Sequence, residues 1–182
     1  MIKLEMMNNT FTTDRLTLEP LAIDDAGFIL ELLNTAGFIT FIGDRQVRTL
    51  SAARDYVEKI LANPDIRYWV VKLTSTGELL GTVTSIRRVY LDYPDIGYAF
   101  LPAFTKMGYA FEAAAVVLQG LLNANHEILA TTVLNNLQSK ALLLKLGFTF
   151  IKQINVEGED LLLYQILAID VTKSSIDNTY TF

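Results

Sequence analysis

Apolar and polar residues alternate in RLTLEPL (15–21), the pattern of a half-buried strand, and Pro20 puts the end of that strand at a sheet edge. The period then lengthens. In AGFILELLN (26–34) Phe28, Leu32 and Leu33 share one helical face, with Asp24 or Asp25 placed to cap it. A second helix is predicted over AARDYVEKILAN (52–63), where Ala52, Tyr56 and Ile60 recur at helical spacing, Ser51 precedes the run and Asn63-Pro64 ends it. YWVVKL (68–73) and ELLGTVTSIRRV (78–89) read as a hairpin around Ser75-Thr76-Gly77, and DIGYAFL (95–101) as a third strand. Residues 108–123 fit a buried helix and EILATTVL (127–134) a strand. LQSKALLLKLG (137–147) is a helix closed by Gly147, and FTFIKQINV (148–156) with DLLLYQILAI (160–169) is a final strand pair.

This order predicts an α/β (α+β) domain: a mixed, mostly antiparallel sheet of about six to seven strands flanked by about four helices. No linker divides the 182 residues, so one domain is expected over 11–170, with an extension at 1–10 and a polar tail at 171–182.

Composition narrows the chemistry. With no cysteine and one histidine, the chain has no thiolate nucleophile and no metal site built on several thiolates or imidazoles. A net charge of −5 argues against a nucleic-acid partner, which needs a basic surface to displace phosphate counterions. The apolar runs stop short of the roughly 18 to 20 residues that span a bilayer, and the N-terminus lacks the form of a secretory signal, so a cytoplasmic address and no membrane partner are expected.

The chemistry-bearing stretch is DIGYAFLPAFTKMGYAFEAA (95–114), a strand running into a helix through a turn with one glycine. The first amides of a helix lack internal partners and sit at the positive end of its dipole, so such a junction receives an anion by backbone alone. It is neither a Walker loop nor a dinucleotide fingerprint, and by itself it equally describes an ordinary structural junction.

Together with RLTLEPL, GTVTSI (81–86) and Asn-x-x-Ser followed by LLLKLGF, the stretch resembles the Gcn5-related N-acetyltransferase (GNAT) superfamily, in the branch of ribosomal-protein and spermidine acetyltransferases, over about residues 11–167. The resemblance implies acetyl-CoA as donor and a primary amine as acceptor, on a small molecule or a protein N-terminus. It also implies that two neighbouring parallel strands, 95–101 and 127–134, splay apart. Tyr98, Ala99, Phe100 and Leu101 would pair their backbone with the pantetheine arm. Thr105, Lys106, Met107, Gly108, Tyr109 and Ala110 would form the pyrophosphate loop, and Asn136 and Ser139 would reach the pantetheine and sulfur. Thr105 stands where the family has Gln or Arg, and Lys106 where this branch often has glycine. Relatives also pair as homodimers.

The tyrosine that many relatives use as the acid is Leu143 in this sequence. Ser139, one turn earlier, is either its substitute, as a hydrogen-bond donor to the leaving sulfur, or a helix-capping serine. Asp95, and less directly Asp92, are candidate bases or solvated loop charges. By the period of two, Asp95 and Tyr98 face opposite sides of their strand. Glu112 reads as structural and His126 as a loop residue. Phe38, Phe41 and Arg45, in GFITFIGDR (37–45), either line the acceptor site or belong to the core. A catalytically silent CoA-binding or interaction module of the same fold is the alternative function.

Overall fold

Local hydrogen bonds decide where the elements begin. The Thr35 hydroxyl accepts the Phe38 N–H at 3.3 Å and the Thr49 hydroxyl accepts the Ala52 N–H at 3.2 Å, each supplying an acceptor to a first turn that has none of its own. The computed structural model describes residues 10–169. Its strands are β1 (Phe11–Thr12), β2 (Leu16–Pro20), β3 (Ile66–Leu73), β4 (Leu79–Ile86), β5 (Asp95–Phe100), β6 (Glu127–Val133), β7 (Thr149–Val156) and β8 (Glu159–Leu167). The helices are α1 (Ala26–Leu33), α2 (Ala36–Phe41), α3 (Leu50–Leu61), α4 (Tyr109–Ala124) and α5 (Leu137–Lys145), with 3-10 turns at Ile23–Asp25 and Pro102–Phe104.

The strands form one sheet in the order β1-β2-β3-β4-β5-β6-β8-β7. Every pairing is antiparallel except β5 with β6. The predicted order of elements holds, with differences at the edges. The sheet has eight strands because the short β1 covers part of β2, pairing only Thr17 and Leu18. Pro20 therefore does lie on an open edge, paired on one side to Trp69. Thr49 rather than Ser51 caps α3. Segment 37–45 is not all loop, since α2 occupies its first half. Asp25 takes the Ala22 N–H at 2.8 Å and closes the turn before α1. Gly147 ends α5 as expected: it is left-handed at φ 93, with its own N–H on Leu144 O and the Phe148 N–H on Leu143 O. The N-terminal extension and the polar tail lie outside the described residues, residue 10 apart.

Each face of the sheet carries its own core. α4 lays Ala113, Ala114, Val117 and Leu121 against Trp69, Val83, Ile96 and Ile128, with Leu143 of α5 in the same cluster. On the other face Phe28, Ile29 and Leu32 of α1 meet Ala53 and Val57 of α3 over Val70. Each large side chain so buried contributes about 1.5–3 kcal/mol of transfer free energy, so both helical layers are firmly attached. No described helix is long and apolar enough to cross a membrane.

Candidate active site

The parallel pair β5 and β6 meets at a single registered position, Asp95 opposite Leu129, reinforced by Leu129 N–H on Pro94 O at 3.0 Å. β4 pairs with β5 along its whole length, from Ile86–Asp95 to Gly81–Phe100. Beyond Asp95, the β6-facing edge of β5 is therefore open. Backbone groups of a splayed strand need partners, and an extended chain bearing amides supplies them.

At the end of that edge lies the predicted loop. Gly108 adopts φ 85 as the N-cap of α4, and Lys106 is also left-handed at φ 62. Lysine thus keeps the conformation that glycine would adopt without strain. The loop is exposed, with Met107 52% accessible, and it aims the free amides of the first turn of α4 outward. A negatively charged phosphate fits this geometry.

Arg15, which the sequence pattern gave only as the start of a strand, holds the loop from behind. Its Nε and Nη2 reach Glu112 Oε2 at 2.7 and 2.6 Å, and its Nη1 donates to Met107 O at 3.2 Å. The guanidinium also lies 4.5 Å from the Tyr109 ring centroid. The Thr13 hydroxyl completes the latch on Glu112 Oε1 at 2.5 Å. Partial burial pushes the Glu112 carboxyl up, but the bonds from Thr13 and Arg15 outweigh it and hold the pKa below the ordinary value. Glu112 is structural, as expected.

Across the sheet from Asp95, the Tyr98 side chain points at α5. Its hydroxyl lies 3.1 Å from Ser139 Oγ and 3.2 Å from Ser139 O. Burial pushes the phenol up to about 12, against the Ser139 hydrogen bond, so it stays protonated at neutral pH. Asn136 caps α5, accepting the Ser139 N–H on Oδ1 at 3.1 Å. Leu143 is 1% exposed in the core, one turn from Ser139 on the same helical face. The phenol absent from α5 is thus present on β5.

On the opposite face Asp95 is 3% exposed at its side chain. Its Oδ2 accepts Arg88 Nε at 2.6 Å and the Thr131 hydroxyl at 3.4 Å, while Oδ1 is buried with no partner. Burial raises its pKa, and Arg88 offsets this only in part. Asp95 is therefore an ion-paired, buried carboxylate and not a solvated charge; Asp92 is exposed. Near it lies Tyr68, whose pKa burial and the neighbouring Tyr56 raise, with Arg45 and Arg88 close enough to oppose them. Burial raises the pKa of Tyr90, with the Arg88 charge close enough to oppose it. Phe38 belongs to the core at 7% exposure, whereas Phe41 at 37% and Arg45 reach the surface. His126 is an exposed loop residue beside Tyr93. Arg88, Tyr68 and Arg15 escaped the sequence reading because their partners come from other elements.

A family model described as an acetyltransferase (GNAT) domain matches residues 15–149. Comparison with curated protein sequences finds no match. Among solved structures, a GNAT-family acetyltransferase from Bacillus anthracis is similar at 23% identity and a TM-score of 0.75, covering 88% of this chain and 99% of that one. A ribosomal-protein-S5-alanine acetyltransferase from Vibrio fischeri aligns at 19% identity and a TM-score of 0.76, over 90% of this chain and 98% of its own. A ribosomal L7/L12 α-N-protein acetyltransferase in complex with coenzyme A aligns at 13% identity and a TM-score of 0.76, over 87% and 98%. The splayed strands, the left-handed glycine at the start of α4 and the family match agree: this chain belongs to the GNAT acetyltransferase family, whose acetyl donor is acetyl-CoA.

Proposed function

We propose that the protein transfers the acetyl group of acetyl-CoA to a primary amine by direct attack. The observation that carries this reading is the open edge of β5 ending at the left-handed Gly108, because it offers unpaired backbone and helix amides in one continuous track. When bound, acetyl-CoA supplies a thioester open to a neutral amine. The first-turn amides of α4 would hold its pyrophosphate, with Lys106 adding a point charge. Residues 98–101 would pair with its pantetheine, and Asn136 Nδ2, which has no partner among the described residues, would donate to it.

The chain's own groups handle two protons. Asp95, with its buried and unpartnered Oδ1, takes the proton of the arriving amine through a water, a task suited by its raised pKa. Tyr98 holds Ser139 with its hydroxyl hydrogen on the Ser139 carbonyl oxygen at 3.2 Å, and the hydrogen on Ser139 Oγ then turns toward the leaving sulfur. In this arrangement Tyr98 is a positioning residue. Tyr98→Phe and Ser139→Ala are each expected to lower kcat by about tenfold, the worth of one hydrogen bond of about 1.4 kcal/mol in the transition state. The double variant is expected to lose little more than either single one. Additive losses would separate the two hydroxyls.

The test of the whole reading is release of free thiol from acetyl-CoA across amino acids, peptides with free N-termini, aminoglycosides and polyamines. Acetyl-CoA is expected to raise the melting temperature, and at least one amine class to release thiol. A thermal shift with silence throughout would favour the CoA-binding module.

A further inference from the structure

The face of the sheet beneath α1 to α3 bears a polar floor. Tyr68, Thr84 and Gly97 lie in one cross-strand row, and neighbours in register share a face. Gly97 lets the Thr84 side chain lie against its backbone: a Cβ there would meet Thr84 Oγ1 at 2.8 Å. Two residues along β5 on the same face lies Asp95, with its buried, unpartnered Oδ1. Two cations, Arg45 and Arg88, act on Tyr68 in this row. Arg88 spends its Nε on Asp95, with its side chain 34% exposed. Arg45 is exposed and takes part in no ion pair among the described residues. The opposing carboxylates are Asp95, already matched by Arg88, Asp44 beside Arg45, matched by Arg48, and Glu157, which acts on Tyr90 from the tip of the β7–β8 hairpin.

We propose that the acceptor is an amine that also carries a carboxylate: its amino group faces Asp95 through a water while its carboxylate docks on the guanidinium groups of Arg45 and Arg88. This rests on the acetyl-transfer reading above and names its substrate class. A guanidinium presents forked donors that match a carboxylate, and the partly buried Arg88 holds it more firmly than a solvated surface charge. A polyamine would bring two or more positive charges to a place whose unmatched charge is positive. The net charge of −5 does not reverse this. Charges farther away than about 8 Å are screened at physiological ionic strength, so the nearby arginines set the local field.

The experiment compares kcat/KM for two matched pairs by thiol release: lysine with 1,5-diaminopentane, which differ by one carboxylate, and alanyl-glutamate with alanyl-lysinamide. Spermidine is the reference polyamine. The carboxylate-bearing member is expected to be favoured by at least about tenfold in whichever pair turns over. Arg45→Gln is expected to bring that ratio most of the way to one, and Arg45→Lys to retain part of it. Arg45 is exposed on a loop, so the fold withstands both changes. Equal or better turnover of 1,5-diaminopentane or spermidine overturns the acidic-acceptor assignment and leaves acetyl transfer standing, as does a ratio that Arg45→Gln does not move. Silence with every amine, despite a thermal shift with acetyl-CoA, defeats acetyl transfer and this assignment together.

Discussion

Replacing Gly108 with valine is expected to weaken acetyl-CoA binding by about a hundredfold or more while the fold survives. Gly108 sits at φ 85, where a β-branched residue is a steric outlier, and an added Cβ would stand 3.3 Å from Arg15 Nη2. Valine must therefore leave the left-handed region, which re-aims the first-turn amides of α4 and pushes on the Arg15 latch. About 1–2 kcal/mol of conformational strain and the loss of one or two charge-assisted hydrogen bonds at about 1.5 kcal/mol or more each together come to about 2.5–5 kcal/mol, against the roughly 2.7 kcal/mol that a hundredfold represents. The loop is exposed, so neither core is touched. The measurement is thermal. At a hundred times its dissociation constant, acetyl-CoA stabilises the unaltered protein by about 2.7 kcal/mol, or roughly 5 to 10 °C for a chain of this size. Gly108→Val is expected to lose most of that shift with its own ligand-free melting temperature nearly unchanged. A full shift in the variant would remove the loop from the binding site.

Arg88→Met is expected to cost about 3–5 kcal/mol at neutral pH, because it leaves the Asp95 carboxylate buried without a counter-charge. That is a large share of the roughly 5–15 kcal/mol that holds a domain folded. The dependence on pH has a definite sign. Burial raises the pKa of Asp95 above 3.8 in the folded protein, and Arg88 is what limits the rise. A carboxyl with a raised folded pKa supports the fold fully below its unfolded value, and that support is lost as pH climbs through the folded value. Without Arg88 the folded pKa climbs further, so the deficit of the variant widens toward neutral pH and narrows toward pH 4. Denaturant melts at several pH values check this. Adding Asp95→Leu is expected to restore most of the loss, since an apolar pair removes the stranded charge. A deficit independent of pH would show that Arg88 acts by packing alone.

The two predictions test residues of unequal visibility in the sequence. Gly108 was legible because a strand, a turn and a helix follow one another within a few residues, and the physics of a helix start needs no distant partner. The order of strands and helices was legible for the same reason. Ser139 and Asn136 were named as candidates from a local pattern, but the phenol that meets Ser139 lies 41 residues away, and nothing in DIGYAFL tells where its tyrosine will point. Arg15 and Glu112 are 97 positions apart and meet only because β2 and α4 pack on one face. Arg88 and Asp95 are seven apart, yet read in line they are two charges flanking a turn; only the sheet buries one of them against the other. Helix α2 was missed because its six residues include one buried side chain, Phe38, too few to show a period. The α3 cap moved to Thr49 because both Thr49 and Ser51 suit the position, and the earlier hydroxyl reaches the Ala52 N–H.

The single bridge between Asp95 and Leu129 has a consequence for the life of the protein in a cell. It joins β1–β5 to β6–β8 by one registered pair, and on the reading proposed above a metabolite supplies the rungs that are missing. Such a protein is more stable in proportion to the logarithm of that metabolite's concentration. Its unfolded fraction, and so its exposure to proteases, falls when the donor is plentiful and rises when it is scarce. The amount of this acetyltransferase would then follow the supply of acetyl-CoA through folding alone, with no regulatory site or dedicated sensor.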